Sequence, residues 1–225
     1  MQKLVRGVKK FQEKAFAENR ELFKNLADGQ KPEALFITCS DSRLNPNMLT
    51  QTQPGDLFII RNAGNLIPTH GSPIGGEAGT IEFALVGLGI REIIVCRHSH
   101  CGAMKGVLEP SILKELPTTA VWLKNADATQ RIMKENYKHL HGEQLLNATI
   151  QENVLVQVEN LKTHPVVAAL LARGDLKIHA WVYKFETGQV FTFAPQEGQF
   201  VLLEKAIPLH NQKRQLQPDV HAQYN

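Results

Sequence analysis

The chain opens on a stripe. Leu4, Val8, Phe11, Ala15, Leu22 and Leu26 recur near helical spacing among charged residues, which predicts an amphipathic helix over 2–28 with Gly29 at its C-cap. The next apolar positions are continuous rather than periodic. Ala34-Leu-Phe-Ile-Thr38, Asp56-Leu-Phe-Ile-Ile60 and Arg91-Glu-Ile-Ile-Val-Cys96 are short runs of the kind a strand shows when both faces are buried. Gly75 to Gly89 predicts a helix rich in small residues, and 117–172 a largely helical region with Leu, Val and Ala on one face. Residues 177–185 and 189–193 flank Glu186-Thr187-Gly188, a hairpin signal. Strands alternating with helices predict an α/β fold: a central, mainly parallel β-sheet flanked by helices, with an N-terminal helical arm (1–30) and a C-terminal hairpin. The folded domain is placed at 1–205, and 206–225, polar from 211 onward, reads as a C-terminal tail.

Composition narrows the classes. At 225 residues, one domain can bury a core without disulfide or metal staples. A net charge of +3 is too small for a nucleic-acid-binding signature, and a pI of 8.7 gives no partner signal. The longest apolar stretch, Phe83 to Ile90, is broken by Gly87 and Gly89 and falls far short of the roughly 18 residues that span a bilayer, so no membrane span is expected. The three cysteines, Cys39, Cys96 and Cys101, do not make a secreted disulfide framework. The basic start Met1-Gln-Lys-Leu-Val-Arg6 lacks the apolar core of a signal peptide, and Glu13, Glu18 and Glu21 do not suit a transit peptide. A reduced, intracellular protein is expected.

Two constellations carry chemistry. Cys39-Ser-Asp41-Ser-Arg43 and His98-Ser-His100-Cys101-Gly102 each follow a predicted strand, at the sheet edge where open α/β folds bind ligands. His98 and Cys101 stand at i, i+3, a spacing that lets both side chains meet one metal at a turn. Together with Cys39 they form a borderline-soft N/S set that suits zinc. Cys96, inside its strand, reads as a buried small hydrophobe. A closed structural site would use a fourth Cys or His, and the i+2 offset of His100 from His98 turns it away. The fourth position is left for water or Asp41, and open zinc generates hydroxide. Asp41 can accept a hydrogen bond from that hydroxide, and Arg43 can hold Asp41 by a bidentate pair. Taken alone, the same two residues read as a cap and a surface cation before a helix near Asn47. A cysteine-centred phosphate loop would need arginine where Asn45 stands, and Gly71 to Gly79 lacks the Lys-Ser/Thr of a nucleotide loop. A zinc-stabilised scaffold or binding module without turnover, and a redox-sensing thiol protein, stand beside an enzyme as alternatives.

Cys-Ser-Asp-Ser-Arg followed by His-Ser-x-Cys-Gly resembles the β-class carbonic anhydrases. Pro54-Gly55-Asp56, Arg61-Asn62-Ala-Gly-Asn65 and Ile81-Glu82-Phe83-Ala84 match further family motifs in order, over roughly residues 1–205. The chain is most similar to the plant and cyanobacterial branch, particularly the carboxysomal enzymes of cyanobacteria. The resemblance implies reversible hydration of carbon dioxide to bicarbonate and a proton by zinc-bound hydroxide, in support of photosynthetic carbon fixation. Cys39, His98 and Cys101 match the zinc ligands. Asp41 and Arg43 match a dyad whose aspartate orients the hydroxide or becomes the fourth ligand in an inactive state. Gln30 matches a glutamine that donates to substrate, Phe58 and Phe83 match aromatic walls of the pocket, and Gly102 a small residue at its rim. The resemblance also implies a homodimer unit and a higher homo-oligomer, with Gln30, Phe58 and Phe83 approaching the zinc of the neighbouring chain. Carboxysome scaffold proteins are implied as partners of the C-terminal region, with the carboxysome or else the cytosol as location. Members with an inhibitory bicarbonate site carry Trp at the position of Phe36, so that regulation is not expected here.

Overall fold

The computed structural model describes residues 1–72 and 75–207. Its strands are β1 (Ala34–Cys39), β2 (Leu57–Asn62), β3 (Glu92–His98), β4 (Lys177–Tyr183), β5 (Val190–Ala194) and β6 (Gln199–Leu202). They form one sheet in the order β2-β1-β3-β4-β5-β6. The first four are parallel, with Leu35 of β1 opposite Phe58 on one side and Ile93 on the other; β5 and β6 close the sheet antiparallel. The chain leaves β1 toward one edge and returns to β3 on its other side. The crevice between the C-terminal ends of β1 and β3 is thus the topological switch point, where α/β sheets bind ligands.

The described residues also form eleven α-helical segments: α1 (Gln2–Lys10), α2 (Phe16–Glu18), α3 (Arg20–Ala27), α4 (Pro46–Thr50), α5 (Gly76–Glu82), α6 (Gly102–Leu108), α7 (Pro117–Trp122), α8 (Asp127–Asn136), α9 (Gly142–Lys162), α10 (Pro165–Ala172) and α11 (Leu203–Ala206). The unbroken apolar runs have a physical cause: β1 is buried along its whole length, Leu35 and Ile37 facing one core and Phe36 the other. The larger core is closed by Leu146, Ile150, Val154 and Leu161 of α9, lying over Ile93 and Val95. Gln157 of the same helix accepts from the backbone N–H of Ile67 at 2.6 Å, fixing the segment after β2. On the opposite face Phe36 meets Trp181 edge-on with Cys96 beside them, and Cys96 is the buried small residue its strand position predicts.

Several boundaries differ from the sequence reading. The arm is not one helix: a π-helical turn over Phe11–Ala15 and a break at Asn19 (φ −115°, ψ 29°) divide it. No residue of α1, α2 or α3 is buried, and Leu4 of the apolar stripe is 66% exposed. β1 reaches Cys39 and β3 reaches His98, so two candidate ligands end strands rather than follow them. β2 continues to Asn62, and the helix predicted over 75–89 ends as a π-helical turn at Phe83–Gly87. β6 escaped prediction because Gln-Phe-Val-Leu is too short to show a pattern. The tail placed at 206–225 lies outside the described residues from 208 onward.

Gly64 is one position that only glycine fits. Its φ is +82°, and a Cβ there would stand 2.7 Å from the Cβ of Ala103 at the start of α6. Gly64→Ala should therefore cost about 1–3 kcal/mol from backbone conformation alone, with the clash in addition. Urea unfolding checks this, and an unchanged midpoint would contradict it.

Candidate metal centre

Cys39 closes β1, His98 closes β3, and Cys101 is the N-cap of α6. Their donor atoms all lie within 4.8 Å of one another, and all three residues are buried, at 7%, 0% and 1% exposure. His98 Nδ1 donates to the Ser99 carbonyl at 2.8 Å, which fixes the tautomer and leaves Nε2 as a bare lone pair. That Nε2 is buried and has no hydrogen-bond partner. A buried acceptor aimed at two sulfurs is costly unless something binds it, and an N/S donor set of this kind fits zinc. The sulfurs themselves interact: hydrogen bonding to Cys101, aided by burial, pushes the Cys39 thiol up to about 11. The same contact pulls Cys101 down to about 6 against the effect of burial.

Asp41 and Arg43 form the pair the sequence suggested. Asp41 Oδ1 accepts from the backbone N–H and Nε of Arg43 at 3.0 and 2.9 Å, and Oδ2 accepts from Nη2 at 2.7 Å. This two-pronged contact holds the carboxyl far below the usual carboxylate range. Asp41 Oδ2 lies 3.7 Å from His98 Nε2, so the carboxylate borders the donor set. The capping alternative is unnecessary, because Asn45 caps α4 by accepting from Met48 N–H. Arg61 secures the loop, donating to the carbonyls of Cys39, Asp41 and Leu44 at 3.0, 2.8 and 2.9 Å.

His100 turns away from the cluster, as its offset predicts. Its backbone is left-handed (φ 54°), and its ring meets Glu186 at 2.8 Å. Gly102 opens α6 exposed to solvent, and a Cβ there would meet nothing within 4 Å, so packing does not require glycine at this position.

Gln30, Phe58 and Phe83 lie elsewhere. Phe58 stands opposite Leu35 whereas Cys39 stands opposite Asn62. At about 3.3 Å per residue this sets Phe58 roughly 13 Å behind the ligand edge of its own chain. The Phe83 ring is 6.0 Å from that of Phe58 and 52% exposed. Gln30 is exposed and precedes β1, at the end of the strand opposite Cys39.

Sequence reasoning missed three participants. Phe185 lies 5.0 Å from the His98 ring and beneath the Arg43 guanidinium at 4.6 Å, and nothing in its surroundings along the chain marks it. Ser99 accepts from the Phe185 N–H and donates to Glu186, tying the hairpin to the end of β3. Arg97 is buried beside Cys101. A charge directly after the buried run Ile93–Cys96 could have flagged it.

Comparison with known proteins is consistent with this geometry. The carbonic anhydrase family model matches residues 34–190, from the first residue of β1 to the first of β5. A carbonic anhydrase of Synechocystis sp. is 51% identical over 194 residues, covering 86% of this chain and 71% of that protein. The solved β-carbonic anhydrase CcaA superposes with a TM-score of 0.88 at 50% identity, over 90% of this chain and 98% of that one. One of two tetrameric β-carbonic anhydrases of the fungus Sordaria macrospora matches with a TM-score of 0.77 at 25% identity, over 86% and 96% of the two chains. A family match running through the whole parallel sheet, with about half of the aligned positions shared with solved and curated members, makes this chain a member of the β-carbonic anhydrase family.

Proposed function

We propose that the protein interconverts carbon dioxide with bicarbonate and a proton, using a zinc ion held by Cys39, His98 and Cys101. The observation that carries this reading is His98 Nε2, buried and unpartnered within reach of two cysteine sulfurs. When bound, the zinc supplies a nucleophile at neutral pH by lowering the pKa of water towards 7. Asp41, kept ionised by Arg43, would accept a hydrogen bond from the water so activated or, in an inactive state, would itself join the three donors. The amide of Gln30 donates to a substrate oxygen as charge develops there. Phe58 and Phe83 wall an apolar pocket that excludes water, and Gly102 keeps its rim open. Because Gln30, Phe58 and Phe83 stand away from their own chain's Cys39, we assign them to the metal centre of a second subunit, which makes the homodimer the smallest complete unit. The tetrameric fungal relatives support a higher homo-oligomer.

Stopped-flow hydration of carbon dioxide, read beside metal analysis, tests this function. One zinc per chain with turnover is expected. Zinc without turnover would instead support a scaffold, and an active protein free of metal would exclude the assignment. Asp41→Ala, Arg43→Ala and the double variant should lose similar activity, because residues that act as one unit are not additive. Effects that add in log rate would separate the two side chains.

We further place the enzyme in the carboxysome, supplying carbon dioxide for photosynthetic fixation, with the cytosol as the alternative. Half-identity to cyanobacterial relatives supports this. No helix among the described residues is long and apolar enough to cross a membrane. Residues 1–205 are assigned to catalysis and the region beyond to contact with carboxysome scaffold proteins. Truncation after Lys205 should leave the rate per zinc within about twofold, an effect no larger than a surface change brings, and remove co-sedimentation with carboxysomes. A collapse of the rate per zinc would overturn the division.

A further inference from the structure

Within β3, alternation sends Ile93 and Val95 to the face covered by α9, and Arg97 follows them. The result is a guanidinium only 1% exposed, the largest of the fully buried side chains. Removing such a group from water costs several kcal/mol unless its donors and its charge are both answered. The donors are largely answered. Nη2 donates to the Gly64 carbonyl, to Asn153 Oδ1 and, at 3.2 Å, to the Asn65 carbonyl; Nη1 donates to Cys101 Sγ at 3.8 Å; Nε has no partner.

The charge is a separate matter. No carboxylate pairs with Arg97 among the described residues, and its oxygen acceptors are all neutral amides. Cys101 is the one partner able to carry a full negative charge, and the Cys39 sulfur lies within 4.8 Å of its sulfur. Two thiolates make a divalent metal centre formally neutral, so any anion taken up at the fourth position leaves an uncompensated charge in a buried site. Arg97 supplies the balance through its contact with Cys101. Asn153 steadies the guanidinium from α9 and is itself held, donating to Thr129 of α8 at 2.7 Å.

We propose that Arg97 is a positioning residue of the metal centre: its guanidinium holds the Cys101 sulfur by an N–H···S contact and balances the charge of the two-thiolate donor set. The inference rests on the assignment of Cys39, His98 and Cys101 as metal ligands. A sulfur that receives a hydrogen bond donates less electron density to its metal, and partners of this kind typically contribute about 10–100-fold in metal affinity.

The test uses the full chain, with zinc affinity measured by chelator competition and the thiolate-to-metal charge-transfer band measured after cobalt substitution. Arg97→Met, similar in reach but uncharged, should bind zinc about 10–100-fold more weakly. Its cobalt band should move to lower energy as the sulfur loses its donor. Arg97→Lys, which keeps the charge, should recover part of both. Asn153→Asp keeps the shape and gives Arg97 a carboxylate, so it should shift the band in the same direction as Arg97→Met; this variant decides the matter if Arg97→Met does not fold. Unchanged affinity and band in Arg97→Met, or in Asn153→Asp standing in for it, would overturn the role of Arg97 while leaving the metal site intact. A wild-type protein that binds neither metal would overturn both.

Discussion

Cys101→Ser should empty the metal centre without unfolding the protein. Cys101 supplies one of three donors, and a serine hydroxyl stays protonated where a thiol becomes a thiolate, so the remaining Cys39 and His98 must hold the metal alone. The loss should exceed the roughly 100-fold that removal of an outer partner can cost, and purified protein should carry little zinc. The same position is the N-cap of α6, a place where serine serves well, so the helix has no reason to fray. Hydration activity should fall with zinc content, and circular dichroism should not change. Cys96→Ser provides the contrast. Cys96 is fully buried against Phe36 and Ile94, outside the donor set. That variant should keep its zinc and its rate per zinc but lose about 1–3 kcal/mol of stability for a buried hydroxyl. Full zinc occupancy and normal turnover in Cys101→Ser would remove that residue from the site.

The second large effect is a recovery. Cys39→Ser should lack metal but keep Gln30, while Gln30→Ala should keep metal but lack the donor. Each alone should be nearly inactive, since one lost oxyanion-type donor costs on the order of 10² or more. Co-expressed in equal amounts, about half of the dimers should be mixed, and each mixed dimer should hold one complete site. Activity should then return to roughly a quarter of wild type, as random exchange across a symmetric interface requires. The register of the sheet is what motivates this experiment, because it sets Phe58 and Gln30 away from their own chain's Cys39. If the same chain's residues served its own metal, no mixed dimer would contain a complete site and nothing would recover. Size-exclusion data must show that the mixed dimers form.

The parts of the fold that were legible in the sequence are those where burial is uniform along an element. β1 and β3 are covered on both faces, so their residues form apolar runs visible without any structure. The Cys39–His98–Cys101 cluster was legible for a related reason: His98 and Cys101 sit within a few residues of one another at a strand end, with Cys39 at the matching end of the neighbouring strand. Asp41 and Arg43 could be proposed as a pair because only Ser42 separates them. What escaped depends on contacts made across long stretches of chain. Phe185 reaches His98 only because β4 pairs beside β3, and Arg97 finds Asn153 only once α9 lies over the sheet. The break at Asn19 escaped for the opposite reason. The apolar stripe runs through it, and the arm buries nothing within its own chain that could betray a change of direction.

The order in which these parts leave the ribosome follows from the same topology. All three donors have been synthesised once Cys101 is made, yet Asn153, which steadies the buried arginine beneath them, comes later in the chain. At about 5–20 residues per second that interval is roughly 3–10 s. Phe185, which packs against His98, comes later still. During that time a nascent chain carries two thiols and an imidazole with neither floor nor wall. If these residues hold zinc as proposed, a reductant and zinc supplied during translation should give more loaded protein per chain than the same two supplied after folding, as metal analysis of the purified protein would read.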